Sequence, residues 1–568
     1  MGLCEKIKAI TSHFTKKMYK SEQKTCDSDI NEDQPLSTEN ITFSFCDIGF
    51  LTSEDFISLV SDELKVPYDI VEKGIARIVK DIRKDVICCV EYPYVDTYYR
   101  DTYYSFYSRK HSYQSRYCFR ISFFSNIVNA ENFYEHSDFT NLFYGYMVLR
   151  PTVRRVIGYT FLSPLLFEKQ EFVCCLCKKN VSVYGRELSI TGFPFCGQDG
   201  EALTCAETSL IMIMDYFSHK YNKYSQLLPS QVLRILSRYS NERQLPSRGL
   251  PSEMLSFVLR KLGFGIRIYT RQQKIDKDCP YLVNGDKDDC LYQQNGDVGT
   301  CHYLLHKGEG SCPRQQNEDT DYEVYSDEEF KRLLYIYIES GFPIIVCTSD
   351  HTYLVIGKEN KLGEDNIRLV TINDNLRPFE LINYDDSITS FIVPLYGKIF
   401  LDAEMIQIDE VIKSLEEELR KLDKQENSTE DTFKIKKDNT EYIYRYFLTT
   451  SKSYKEFVTQ AKVKDSRELF VSMAMPHFIW VCEMIDAKML DAIDPSRAPV
   501  SNIMIFDATE GNSSSNYFIM AKLSDRVIVR TEDNSLYRRK NYKQFKGIKD
   551  IFYTFDRNLK GKHSKWQE

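Results

Sequence analysis

The sequence predicts an α+β protein in which helices and antiparallel strands are grouped separately within several domains. Its 568 residues exceed what one ordinary hydrophobic core serves, so about two to four domains are expected. Hydrophobic residues make up 42% of the chain and charged residues 27%, which is typical of folded globular proteins. In the middle of the chain, helical segments precede strand-like segments, an order characteristic of the α+β class.

Composition and charge exclude several functional classes. The formal net charge is −8, which argues against nucleic-acid binding as the main activity. No apolar run approaches the roughly 20 residues of a membrane helix, and the first residues contain no apolar signal core. We therefore expect a cytoplasmic protein without a membrane partner. The 17 cysteines, an odd number, are expected to be reduced thiols rather than a disulfide framework.

The first third of the chain predicts a leader and one α+β domain. Residues 1–40 are polar and without periodicity, which predicts a flexible leader. Residues 41–165 form the expected N-terminal domain, in which Ser53 caps a first helix. Its elements are the helices "EDFISLVSDEL" and "YDIVEKGIARIVKDIRK", the strands "VICCVEYPYVD" and "YCFRISFFS", and two strands around a turn in "YGYMVLRPTVRRVIGYTFLSP".

Two further domains follow. Residues 166–400 begin with strands, continue with helices from Cys205 onward, and contain a polar insertion at 276–327. A helix "DEEFKRLLYIYIESG" then precedes four strands, "PIIVCTS", "HTYLVIGK", "IRLVTIND" and "SFIVPLYG". Residues 401–568 form a C-terminal α+β domain that starts with the charged helix "DEVIKSLEEELRKLDKQ" and contains the strands "NIMIFDAT", "NYFIMAKLS" and "RVIVRTED".

Cys205 stands at the start of an apolar helix, where a thiol can become a nucleophile. Thr204 and Glu207 have the spacing of a capping box, so Thr204 is the expected N-cap. The free backbone N–H groups and the positive end of the helix dipole stabilise a thiolate in the first turn. Upstream, the side-chain amide of Gln198 can donate to an oxyanion that forms near this sulfur. The alternative is that Cys205 is an ordinary buried thiol.

A thiol nucleophile needs a base and a group that orients the base. His351 opens the strand "HTYLVIGK" and can reach across to the start of a helix. Downstream, Asp374 follows the strand "IRLVTIND" and can accept a hydrogen bond from the imidazole. Its neighbour Asn373 can do the same without a charge. His302 and His306 in the insertion are the alternative bases.

This order of residues resembles that of the papain-like cysteine peptidases, most closely their bacterial C39-like branch. The resemblance covers about residues 190–398. It implies a papain-like core, with a helical half and an antiparallel sheet, flanked by the N-terminal and C-terminal α+β domains. It also implies that Cys205 is the nucleophile, His351 the base, Asp374 the orienting residue and Gln198 the oxyanion donor, with no metal and no organic cofactor.

The implied activity is hydrolysis of peptide or isopeptide bonds in a peptide or protein substrate, while the flanking domains restrict access or recruit a protein partner. Two alternatives remain open. The same thiol and imidazole support transglutaminase-like acyl transfer to an amine. The domain can also be a catalytically inactive module that binds peptides or mediates assembly.

Two groups of cysteines invite a metal interpretation. Cys174 and Cys177 have a CxxC spacing without a second pair, and Cys279, Cys290, Cys301 and Cys312 recur every eleven residues without a short ligand pair. Neither group therefore predicts a zinc site. The basic C-terminal stretches "RRKNYKQFKGIKD" and "RNLKGKHSKW" are expected to be solvated surface, with docking to an acidic partner or to nucleic acid as the alternative.

Overall fold

A computed structural model describes most of the chain between residues 45 and 561. The expected leader, 1–40, lies outside the described residues, as does most of the expected insertion. The described ranges are 45–112, 114–168, 171–240, 244–247, 249–272, 324–361, 368–385, 387–425, 434–436, 440–461, 463–489, 498–511, 517–531 and 541–561.

These residues form helices and strands that are numbered in chain order. The helices are α1 (Glu54–Leu64), α2 (Tyr68–Val79), α3 (Thr97–Ser105), α4 (Cys205–Lys220), α5 (Pro229–Leu236), α6 (Ser252–Lys261), α7 (Asp327–Glu339), α8 (Ile408–Gln425), α9 (Ser451–Gln460) and α10 (Arg467–Ser472). The strands are β1 (Phe45–Asp47), β2 (Val86–Tyr94), β3 (Cys118–Ser125), β4 (Phe143–Leu149), β5 (Tyr159–Leu162), β6 (Phe172–Cys174), β7 (Cys177–Val183), β8 (Arg186–Cys196), β9 (Phe264–Arg271), β10 (Val324–Tyr325), β11 (Ile344–Cys347), β12 (Thr352–Glu359), β13 (Arg368–Ile372), β14 (Glu380–Asn383), β15 (Ser390–Tyr396), β16 (Tyr442–Thr450), β17 (Phe478–Asp486), β18 (Pro499–Val500), β19 (Asn502–Asp507), β20 (Phe518–Lys522), β21 (Arg526–Thr531), β22 (Asn541–Lys546), β23 (Phe552–Tyr553) and β24 (Lys560–Gly561). None of the described helices is both long and apolar enough to cross a bilayer.

Helices and largely antiparallel sheets occur together, which confirms the predicted α+β class. The first sheet has the order β1-β2-β3-β4-β5-β8-β7. The second has the order β10-β9-β15-β11-β12-β13-β14, with β6 paired to β12 and β24 paired to β6. The third has the order β16-β17-β19-β20-β21-β22. Among the described strand pairs of these three sheets, the parallel one is formed by β9 and β10.

The first sheet and its helices explain the N-terminal part of the chain. Ser53 caps α1 as predicted, because its hydroxyl accepts the backbone N–H of Phe56 at 3.3 Å. Strands β3 and β4 are buried along their whole length, so both of their faces are covered. The sheet continues past residue 165, where the sequence suggested a domain boundary, since β5 pairs with β8.

Helix α4 lies between the first and second sheets. It contacts β7 and β8 on one side and β12 on the other. Every residue from Ala206 to Phe217 is buried, as expected for a helix that is enclosed on all sides. The first residue of this helix, Cys205, is therefore held at a fixed position between two layers.

A buried carboxylate anchors the middle of α4 to the first sheet. Asp215 accepts hydrogen bonds from the hydroxyls of Tyr98, at 2.9 Å, and Tyr159. The ammonium of Lys179 lies 3.5 Å from the same carboxylate. Burial alone raises the pKa of Asp215, but the Lys179 charge and the hydrogen-bond donors outweigh it and lower the pKa to about 2. The buried anion is thus paired, and its contacts with Tyr98, Tyr159 and Lys179 hold the middle of α4 in place.

The third sheet packs on the second through α7 and β16. The predicted helix at 409–425 is confirmed as α8, and the strands predicted at 502–509, 516–524 and 526–533 are confirmed in their described parts as β19, β20 and β21. The chain then returns to the second sheet, where β24 pairs with β6. Just before β24, the Asn558 amide donates to the carbonyls of Glu339 in α7 and Leu448 in β16, at 3.0 and 2.9 Å. Part of the basic C-terminal stretch is therefore used inside the molecule rather than presented as open surface.

Candidate functional site

The predicted nucleophile lies where the sequence placed it. Cys205 is the first residue of α4, with Thr204 as N-cap. The carboxylate of Glu207 folds back onto the cap and accepts the Thr204 backbone N–H at 3.0 Å. The carboxylate is thus held at the start of the helix, where it accepts hydrogen bonds from Thr204 and Ser247. Among the described cysteines, Cys205 and Cys46 are the two that are not fully buried, so Cys205 is accessible to a reactant.

The predicted base contacts this thiol. His351 precedes β12, in a turn that its backbone N–H closes by donating to the Thr348 hydroxyl at 3.0 Å. The Thr348 backbone N–H in turn donates to the His351 carbonyl at 2.8 Å. The Cys205 side chain is near enough to the imidazole to raise the pKa of His351. Its side chain is 15% exposed, so the ring is largely shielded but remains open on one side.

Strand pairing brings the orienting residues to the same place. Strands β12 and β13 are antiparallel, with Leu354 opposite Ile372. The start of β12 therefore lies beside the end of β13, and His351 meets the residues that follow β13. Its Nε2 lies 2.9 Å from Oδ1 of Asn373 and 3.3 Å from Oδ1 of Asp374.

Two amides face Nε2 of His351, one as acceptor and one as donor. Oδ1 of Asn373 also accepts the backbone N–H of Asn375 at 2.9 Å, which fixes the orientation of the Asn373 amide. An amide oxygen only accepts, so a proton on Nε2 is donated to Asn373. The side-chain nitrogen of Asn375 lies 3.3 Å from the same Nε2 and can donate to it when Nε2 carries no proton. Nε2 therefore has a partner in either tautomer.

The surroundings of His351 favour its charged form. Burial lowers the pKa of His351, but hydrogen bonds to Cys205 and Asn373 and the charge of Asp374 outweigh burial, so the pKa is raised overall. The imidazolium is therefore retained to higher pH than in a free histidine, and it is lost as the pH rises through this raised value. A proton that moves from sulfur to imidazole is stabilised there.

The structure thus joins three of the four predicted site residues. Asn373, the predicted alternative, also contacts the ring and lies closer to Nε2 than Asp374 does. The fourth residue, Gln198, is partly exposed in the loop between β8 and α4. Its donation to an oxyanion stays a prediction.

The loop that carries Gln198 is tightly held. Oδ1 of Asp199 accepts the backbone N–H groups of residues 201, 202 and 203 at 2.8–2.9 Å. Arg150 donates to the carbonyl of Gly197 at 2.6 Å, and Arg154 donates to the carbonyl of Gly200 at 2.9 Å. Gly200 has φ +73°, a conformation that favours glycine. The loop is therefore rigid on the approach to Cys205.

Two arginines that the sequence analysis missed hold the other side of the site. Arg155 donates to the Asp374 carbonyl at 2.9 Å, to Oδ2 of Asp374 at 3.3 Å and to Oδ1 of Asn375 at 2.6 Å. Arg77 donates to the same carbonyl of Asp374 at 2.7 Å. The signal in the sequence was the arginine-rich turn "RPTVRR", which supplies Arg150, Arg154 and Arg155. One segment of the first sheet therefore holds both the nucleophile loop and the orienting residues.

Replacing Arg155 by glutamine is expected to slow alkylation of Cys205 at neutral pH by about tenfold, because the orienting residues lose their fixed position. Arg155→Lys should restore part of the rate, since lysine keeps the charge but cannot bind Asp374 and Asn375 together. The measurement is the rate of carbamidomethylation of Cys205, followed by mass spectrometry. Exposed Arg116 supplies the control variant Arg116→Gln, and equal rates in the two glutamine variants would contradict this positioning.

No metal site accompanies the thiol in the part of the chain that the structure describes. There, no three residues among His, Cys, Asp and Glu are grouped as metal ligands. Cys174 and Cys177 are buried free thiols at the end of β6 and the start of β7. The eleven-residue cysteine series and the alternative bases His302 and His306 lie outside the described residues.

Comparison with known proteins adds no relative. Neither the models of protein families nor the curated proteins nor the solved structures contain a match to this chain.

Proposed function

We propose that the chain is a thiol-dependent peptidase with a papain-like core. The observation that carries this proposal is the imidazole of His351, which is a close neighbour of the Cys205 side chain and lies against Asn373 and Asp374. The four residues come from two regions of the sequence more than 140 residues apart, and a chance arrangement rarely aligns donor, acceptor and orienting residue. The helix that carries the thiol and the antiparallel strands that carry the base agree with the implied core.

The chemistry proceeds in two stages. The Cys205 thiol gives its proton to His351, and the sulfur attacks the carbonyl carbon of the peptide bond. The backbone N–H of Cys205 and the amide of Gln198 stabilise the oxyanion. As the C–N bond breaks, His351 gives its proton to the leaving amine, and a thioester remains on Cys205. His351 then takes a proton from water, which attacks the thioester and releases a carboxylate and the free thiol.

The orienting residues keep the imidazole in one position throughout this cycle. In the imidazolium, Nε2 donates to Asn373, and Nδ1 is the nitrogen that exchanges its proton with the sulfur and the substrate. The carboxylate of Asp374 lies close enough to stabilise the imidazolium that forms in each stage. Arg155 also pairs with this carboxylate, so the negative charge at the ring is shared rather than isolated.

The proposal is tested by peptide hydrolysis in H₂¹⁸O. The full chain is incubated with a peptide library, and the products are identified by mass spectrometry. Wild-type protein should create new C-terminal carboxylates that carry one ¹⁸O, whereas Cys205→Ala should create none. Cys46→Ala, which removes the other described thiol that is not fully buried, is the control and should match the wild type.

Other products would redirect the proposal. When a primary amine such as dansylcadaverine is added, new amides without carboxylates would identify acyl transfer. Absence of both products, together with alkylation of Cys205 no faster than that of a free thiol, would leave the inactive peptide-binding module as the remaining interpretation.

A further inference from the structure

An open cavity of about 700 Å³ lies between the end of α3 and one face of α5. Its volume falls within the range of small-molecule pockets, about 300–1,000 Å³. Residues on α5 at three- and four-residue spacing face the cavity, while Val232 and Leu236 on the other face are buried. The lining side chains of α5 are Ser230, Leu233, Arg234 and Ser237. The cavity is therefore separate from the core packing of this helix.

The walls carry positive charge without a matching acid. Arg109, Lys110 and Arg234 line the cavity, and no carboxylate is among its lining residues. Lys110 is paired with Glu201 at 2.6 Å. Within the described residues, Arg109 and Arg234 form no ion pair, and both are exposed. About two positive charges are therefore available to a ligand.

The nearest acid is already engaged. Asp101 accepts the backbone N–H and the hydroxyl of Ser230, at 2.7 and 2.8 Å, at the start of α5. Phe106, Leu233 and Leu245 supply the apolar part of the walls. The cavity thus combines two arginines and serine hydroxyls with an apolar surface, which suits a ligand with an anionic head and an apolar body.

We propose that this cavity binds a small organic phosphate. Arginine guanidinium groups match phosphate oxygens in charge and in geometry. The phosphate would lie between Arg109 and Arg234, whose guanidinium groups would donate to its oxygens, because the hydroxyls of the lining serines already donate within the chain. The apolar or aromatic part of the ligand would lie against Phe106 and Leu245.

The cavity is connected to the candidate site at two points. Lys110, on one wall, pairs with Glu201 in the loop that precedes Cys205. Leu245, on another wall, is two residues from Ser247, whose backbone N–H donates to the Glu201 carbonyl at 2.7 Å and whose hydroxyl donates to Glu207. A ligand that shifts either wall therefore acts on the cap of α4. We expect occupancy to change the reactivity of Cys205, an effect that does not depend on the proposed peptidase activity.

Calorimetric titration of the full chain with ATP, without magnesium and at 150 mM salt, tests the binding. Adenosine and hexaglutamate are the comparison probes. The double variant Arg109→Gln/Arg234→Gln should bind ATP at least about tenfold more weakly than the wild type. Arg238→Gln/Arg260→Gln removes the same charge from two exposed arginines that do not line the cavity, and its affinity should stay within about twofold.

Several results would overturn the assignment. These are no ATP binding at millimolar concentration, equal losses in the two double variants, or adenosine binding as tightly as ATP. Binding of hexaglutamate but not ATP, with dependence on Arg109 and Arg234, would replace the organic phosphate by an acidic peptide. A second experiment measures the alkylation rate of Cys205 with saturating ATP. The rate should change at least about twofold in the wild type but not in Arg109→Gln/Arg234→Gln. A rate unaffected by bound ATP would refute the connection between the cavity and α4.

Discussion

Replacing His351 by alanine is expected to lower the rate of peptide hydrolysis by about 10²–10⁴-fold, the usual contribution of general acid–base catalysis. The imidazole is a close neighbour of the Cys205 side chain, and its raised pKa means that it holds a transferred proton well. Without it, the thiol keeps its proton and the leaving amine receives none. The loss should appear mainly in kcat, because the imidazole acts on the reacting atoms rather than on substrate binding.

The control for this variant is His477→Ala, which removes an exposed imidazole that packs edge-to-face on Phe478. Its hydrolysis rate should equal that of the wild type. Asn373→Ala should lower the rate less than His351→Ala, since it leaves the base in place but frees its ring. A His351→Ala variant with the wild-type rate would mean that another group is the base.

Replacing Arg445 by methionine is expected to lower the free energy of unfolding by about 3–5 kcal/mol, the range for removing one partner of a buried ion pair. The Arg445 guanidinium donates to Glu339 at 2.9 and 3.0 Å and to Glu483 at 2.8 Å. All three side chains are less than 10% exposed. The substitution removes the cation that both buried carboxylates bind, so each of them loses its bond to Arg445.

The two carboxylates are expected to respond differently. Glu339 also pairs with Lys358 at 3.0 Å, and these two cations outweigh the effect of burial and lower its pKa to about 2. Burial raises the pKa of Glu483, which faces one cation fewer. Glu483 should therefore become protonated in the variant, while Glu339 stays ionised beside Lys358.

Urea unfolding, followed by the fluorescence of buried Trp480, measures this loss. The control is Lys73→Met, in an exposed helical pair, where no measurable change is expected. In the wild type the stabilisation from Glu339 should be present above about pH 4.3, the ordinary value, and be lost as the pH falls through about 2. An unchanged urea midpoint in Arg445→Met would contradict the predicted contribution of this buried ion pair to the free energy of unfolding.

The sequence could predict the central residues of the site because each has a local signal. Cys205 follows an N-cap. His351 comes just before the first residue of β12, and Asp374 comes just after the end of β13. The pairing of β12 with β13 then brings the last two together. The preference of the ring for Asn373 over Asp374 depends on the turn after β13, and no periodicity encodes that geometry.

The supporting residues could not be predicted in the same way. Arg155 and Arg77 reach Asp374 across 219 and 297 positions of the chain, so only the tertiary fold reveals the contact. The pairing of β5 with β8 likewise crosses the boundary expected at residue 165. The change in composition near residue 165 reflects a change in local structure. The backbone hydrogen bonds between β5 and β8 nevertheless continue the same sheet beyond that residue.

The central claim is that His351 prepares Cys205 for nucleophilic attack before any substrate binds. Its most direct measurement is the rate of iodoacetamide alkylation of Cys205 between pH 5 and 9, in wild type and in His351→Ala. We expect the wild type to react at least about tenfold faster than the variant near pH 6, where the imidazolium can stabilise the thiolate. Superimposable pH profiles, with Cys205 no more reactive than an ordinary exposed thiol, would contradict the claim.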